Sequence, residues 1–172
     1  SPEWPIPKVF RMANNKKIIK GLFEGSTINT PSMICVEDAL DGLNWAKENG
    51  GLDFLIKTSM SSFDQIYNWI EKNDWVTFLS NNKSKEYLSN TGVTFKICEN
   101  WYLNKGEEDQ RLIVKEICKI LSQENVAHDI NGYAKAPPSF RVWTGGTIEP
   151  HNIEMLLPWL EWAYIKVKES NA

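Results

Sequence analysis

Between Leu52 and Asn73 one hydrophobic period is kept throughout, and past Val76 it is abandoned. Leu55, Ile56, Ser59, Phe63, Ile66 and Ile70 recur at helical spacing, which predicts one long helix over 52–73. A helix of that length draws its stability from packing, so it must run across a domain. Val76–Leu79 and Gly92–Ile97 then read as short strands, the second alternating and β-branched. Glu107–Glu124 returns to the helical period with Ile113, Ile117, Ile120 and Leu121 inward. Val126–Ile130 and Phe140–Thr144 are further strand candidates, on either side of a loop carrying Pro137 and Pro138. A last helix is predicted from Pro150 to Lys168, with Ile153, Leu156, Leu157, Leu160, Tyr164 and Val167 buried. Pro158 inside it has no N–H for the carbonyl of Glu154 and predicts a kink. The order β-β-α-β-β-α behind a long helix defines an α+β fold, a small sheet with helices packed on one side.

Upstream the texture is different. Residues 1–13 are Pro-rich and then basic, and are expected to be extended or looped. The chain starts at Ser1 with three prolines in seven residues, which reads as an extended segment entered from upstream. Asn14–Phe23 is expected to make about two helical turns before Gly25. Val36, Leu40, Leu43 and Ala46 predict a helix that Gly50 and Gly51 end.

Composition removes several classes of function. A net charge of −3 gives no electrostatic footprint for nucleic acid or an anionic membrane. No apolar run approaches the roughly 20 residues that a bilayer span requires. Cys35, Cys98 and Cys118 form no Cys-x-x-Cys pair, and His128 and His151 lie far apart in sequence, so no metal site is expected. Three thiols that cannot all pair point to a reducing compartment. All three read as small buried apolar residues.

Two segments have residues suited to chemistry. Arg141 alternates with Phe140 and Val142, and so shares the opposite strand face with Trp143. Its planar fork suits a carboxylate, although an exposed sheet face or a structural ion pair explains it as well. Asn29-Thr30-Pro31 precedes a helix, with Thr30 as the expected N-cap and Pro31 at the first helical position. Backbone N–H groups there, beside an amide and a hydroxyl, suit a phosphate; a capped helix is the plain alternative. His128 and Asp129 are open to acid–base work, or to the end of a strand beside a turn.

In order along the chain stand Trp4-Pro5-Ile6-Pro7-Lys8-Val9-Phe10-Arg11, Thr27-Ile28-Asn29-Thr30-Pro31-Ser32-Met33 and Val36-Glu37-Asp38-Ala39-Leu40-Asp41. They are followed by Ser89-Asn90-Thr91, Ala136-Pro137-Pro138, Phe140-Arg141-Val142-Trp143 and Pro158-Trp159-Leu160-Glu161-Trp162-Ala163-Tyr164. Taken together, this series resembles phosphoserine aminotransferases over essentially the whole chain. The resemblance implies a fold type I enzyme that uses pyridoxal 5'-phosphate, assembles as a cytoplasmic homodimer and exchanges an amino group between phosphoserine and 2-oxoglutarate in serine biosynthesis. It makes residues 1–48 the end of the large cofactor-binding domain and 49–172 the small C-terminal domain. It gives Asn29 and Thr30 to the cofactor phosphate of the neighbouring subunit, and Arg141 to the substrate α-carboxylate.

Two departures accompany the likeness. The family's cofactor lysine lies upstream of the matched region, so this stretch is expected to be an inactive piece, with no catalytic residue of its own. Where many members carry His-Arg for the substrate phosphate, this chain has Ala134 and Lys135. Lys135 is then the expected phosphate contact, as a point charge. The rival readings are an aminotransferase of the serine- or alanine-glyoxylate type and a stand-alone α+β binding or dimerisation module.

Overall fold

The computed structural model describes residues 4–171, and these divide into two units that meet in sequence at Glu48 and Asn49. In the first unit, β1 (Ala13–Asn14) and β2 (Lys17–Ile18) form a minimal antiparallel hairpin. A 3₁₀ turn over Lys20–Phe23 and the helix α1 (Met33–Glu48) complete it. The helix expected over 14–23 is therefore a hairpin followed by a short turn. Asn15 and Lys16 both take positive φ, 46° and 62°, the conformation a two-residue hairpin turn demands and a helix forbids. The expected extended or looped run over 1–13 falls outside the described residues at 1–3, and from Lys8 to Phe10 it makes a 3₁₀ turn. None of the described residues of this unit is buried, so the apolar row of α1 finds no core within it.

The second unit has the core. The helix α2 (Gly51–Lys72) leads into β3 (Val76–Phe78) and β4 (Gly92–Ile97). A short α3 (Asn100–Leu103), the helix α4 (Glu107–Gln123), β5 (Phe140–Trp143) and the helix α5 (Pro150–Asn171) follow. The three strands are antiparallel in the order β3-β4-β5. Register puts Val76 opposite Ile97, Phe78 opposite Phe95, Phe95 opposite Phe140 and Val93 opposite Val142. All of these are buried, so one sheet face is continuous hydrocarbon. Phe63, Ile66 and Ile70 of α2, Ile113, Val114, Ile117 and Leu121 of α4, and Leu157, Leu160, Tyr164 and Val167 of α5 cover it. The helices thus lie on one side, and Thr77, Thr94, Lys96, Arg141 and Trp143 occupy the less buried face.

The predicted strand over 126–130 is absent. Helix α4 ends in a Schellman turn: Asn125 has φ 56°, Val126 N–H bonds Leu121 O at 2.9 Å, and Asn125 N–H bonds Ser122 O at 3.1 Å. The turn consumes the residues that alternation assigns to a strand, and only an isolated bridge between Asn131 and Phe140 remains. Ile56, expected on the buried face of α2, is 49% exposed and stands in an outward row with Leu52 and Met60. Cys35 is exposed, and Cys98 and Cys118 are half-buried, so the thiols are not uniformly core residues.

Polar tethers join the layers. Asn90 O accepts from the buried Ser59 Oγ at 2.7 Å and the buried Thr144 Oγ1 at 2.8 Å, tying α2 and the end of β5 to the loop before β4. Glu99 accepts from Lys168 Nζ at 2.6 Å, Trp101 Nε1 at 2.7 Å and Tyr164 Oη at 2.5 Å, fastening α5 to the corner after β4. Trp75 stacks on Tyr164 with ring centres 3.8 Å apart.

Phe95 has no exposed surface, and Phe95→Ala is expected to lower unfolding free energy by about 3–5 kcal/mol in denaturant titrations. Lys119→Ala, on an exposed face, is expected to stay within about 0.5 kcal/mol. Burial raises the Glu99 pKa, but the hydrogen bonds from Lys168, Tyr164 and Trp101 outweigh it and leave the carboxyl below its usual value of 4.5. Its contribution to stability is therefore complete above about pH 4.5 and is lost as pH falls through the lower folded value. Glu99→Gln should flatten that part of the acid limb in melting temperatures followed from pH 6 to pH 3; an unaltered limb would refute the assignment.

Candidate functional site

In the first unit, Asn29 and Thr30 are exposed just ahead of α1. The first helical bond runs from Val36 N–H to Ser32 O at 3.1 Å, so Ser32 takes the cap position expected for Thr30, and Pro31 lies outside the helix. The shift leaves the Thr30 hydroxyl and the Asn29 amide without a hydrogen bond among the described residues. The opening turn of α1 retains N–H groups that no helical carbonyl accepts. Donors of this kind fit a phosphate monoester. A recess of about 430 Å³ lined by Lys8, Arg11, Ala13, Ile19, Thr27 and Ile28 adjoins them in the chain.

In the second unit, residues 131–139 form a loop closed at its base. Gly132 N–H bonds Ser139 O at 2.9 Å, and Ser139 Oγ bonds Pro137 O at 2.8 Å. A side chain at Gly132 would place its Cβ 2.6 Å from Ser139 Oγ and 2.9 Å from Ser139 O, so only glycine permits this closure. From α4, Arg111 reaches across to Ala136 O at 2.7 Å while also pairing with Glu107 at 2.6 Å. Lys135 is exposed in the turn that Ala136 N–H closes on Tyr133 O at 2.9 Å.

Arg141 projects from β5 beside this loop. Its Nη2 donates to Asp129 Oδ2 at 3.1 Å, and its guanidinium lies 4.7 Å from the centre of the Tyr133 ring. Its Nε is buried with no partner. Lys135 and the ring against Arg141 therefore belong to one turn. The structural ion pair left open for Arg141 is thus realised with Asp129, while His128 Nδ1 lies 3.0 Å from Ser122 Oγ. Arg111 and Tyr133 escaped the sequence reading. Glu107 four residues before Arg111 marks a helical ion pair, but nothing local signals the long reach to Ala136.

Two of the three thiols are poor nucleophiles. Burial pushes the Cys118 thiol up to about 12, and burial is also the main reason the Cys98 thiol is raised. Among the described residues no group of three or more His, Cys, Asp or Glu is placed to hold a metal ion. No helix among them is long and apolar enough to cross a membrane.

A three-stranded sheet with helices on one face, preceded by a unit without a core, defines an α+β architecture. A phosphoserine aminotransferase structure from Bacillus circulans subsp. alkalophilus superposes with a TM-score of 0.66 at 18% identity, over 84% of this chain and 36% of that one. At that identity the likeness establishes the fold. No family model matches the chain. Phosphoserine aminotransferases of Methanosarcina mazei and Methanosarcina barkeri are 43% and 42% identical to it over 168 residues, 98% of this chain. The chain spans 42% of the length of each of these relatives. By sequence the chain matches a part of each of these two relatives.

Gly132→Ala is expected to destabilise the second unit by about 1–3 kcal/mol, because neither Ser139 atom can retreat without opening the loop. Thermal unfolding checks this, and an unchanged melting temperature would mean that the loop yields freely.

Proposed function

We propose that the whole protein is a phosphoserine aminotransferase, exchanging the amino group of phosphoserine for the keto group of 2-oxoglutarate. The observation that carries this reading is the 43% identity to a phosphoserine aminotransferase across 98% of the chain. Pyridoxal phosphate, when bound, supplies the electron sink for such chemistry. In this reading Asn29, Thr30 and the N-terminal turn of α1 hold its phosphate, a role their uncommitted donors fit. Arg141 grips the substrate carboxylate with its planar fork, and Lys135 meets the substrate phosphate as a point charge. The first unit is the end of the large domain and the second is the small domain.

A homodimer follows from the same reading, since Asn29 and Thr30 then serve the neighbouring subunit's cofactor. The outward apolar row Leu52, Ile56 and Met60 favours a domain that packs against more protein over a self-contained module. Free thiols at Cys35, Cys98 and Cys118 favour the cytoplasm. The family's cofactor lysine lies outside the matched stretch, so these 172 residues alone are expected not to transaminate.

The test is made on the enzyme expressed at the full length of its relatives. Phosphoserine should be preferred over serine in kcat/KM, and Lys135→Ala should raise KM for phosphoserine roughly 10- to 100-fold while sparing 2-oxoglutarate. Equal use of serine and glyoxylate would instead favour the serine- or alanine-glyoxylate type.

A further inference from the structure

The fold uses only part of Arg141. Of its five N–H donors, one on Nη2 meets Asp129 Oδ2 at 3.1 Å. The Nε–H beside it is buried and unsatisfied, although the Nε–Nη2 edge is shaped to take both oxygens of one carboxylate. Exposure is very unequal across the pair, at 18% for the Arg141 side chain and 85% for that of Asp129. A carboxylate so exposed gains little from a single contact and turns readily into water. An orphaned buried donor, by contrast, favours any partner that completes it. The Tyr133 ring lies 4.7 Å from the guanidinium, a contact that does not involve Asp129.

We propose that Asp129 is a stand-in carboxylate, holding one end of the Arg141 fork until the substrate carboxylate spans both Nε and Nη2 and displaces it. This rests on Arg141 being the carboxylate-binding residue. Asp129 then sets substrate affinity in two ways. It must be displaced first, and it remains afterwards as a negative charge close to the bound anion. Both effects oppose binding, so Asp129 makes the site weaker than Arg141 alone would.

The test uses the enzyme at the full length of its relatives, with 2-oxoglutarate and phosphoserine titrated calorimetrically and KM measured in parallel. Asp129→Asn is expected to tighten both ligands roughly 2- to 5-fold at low ionic strength, and less in high salt. Asp129→Glu restores the charge and should return affinity towards the wild type. Arg141→Lys should weaken both ligands, with or without Asp129→Asn. If Asp129→Asn leaves affinity unchanged or reduces it while Arg141→Lys weakens binding, the stand-in is overturned and the role of Arg141 survives. If Arg141→Lys leaves affinity unchanged, the carboxylate site itself fails, and the stand-in fails with it.

Discussion

Phe95 lies at the centre of the sheet, opposite Phe78 on one side and Phe140 on the other. Its ring stacks on Phe140 at 5.4 Å and meets Trp69 of α2 edge-on at 5.9 Å. That cluster joins all three strands to the long helix. Because β4 alternates strictly, fixing Phe95 inward also fixes Val93 and Ile97 inward and turns Thr94 and Lys96 outward. Register then carries the constraint to β5: with Phe140 and Val142 held in the core, Arg141 has only the outer face available. The position of the principal candidate side chain is thus a consequence of aromatic packing one residue away.

The loop beside Arg141 is ordered by different means. It has little hydrocarbon to bury, so backbone bonds at its base and the Arg111 reach to Ala136 do what packing does elsewhere. Gly132 makes the base possible, since the closure leaves no room for a Cβ. Together they hold Tyr133 against the Arg141 guanidinium and fix the turn that carries Lys135. The Glu99 cluster serves the corner after β4, where α5 is fastened by one carboxylate accepting from three donors.

The two units contrast in how they are held together. The second has a contiguous core drawn from three helices and one sheet face, whereas the first buries no described residue. The same contrast underlies the reading of the first unit as part of a larger domain. Its helix α1 has apolar residues at Leu40 and Leu43 that are 46% and 67% exposed, a row suited to cover.

By itself the sequence determined the elements whose period is long and unbroken: α2, α4, α5 and the alternating β4 and β5 all stand where hydrophobic spacing puts them. It also determined that Arg141 opposes Phe140, because strand alternation is a local geometric rule. The ordered motifs from Trp4 to Tyr164 were enough to give the family likeness. What failed were short segments. Asn15 and Lys16 adopt left-handed backbone in a hairpin, and Asn125 does so to end α4, each overriding a weak local pattern. Only the tertiary structure decided that Asp129 would meet Arg141, that Tyr133 would lie against it, and that Arg111 would hold Ala136. Those contacts join residues 8 to 25 positions apart, and chain closure, not local preference, brings them within reach.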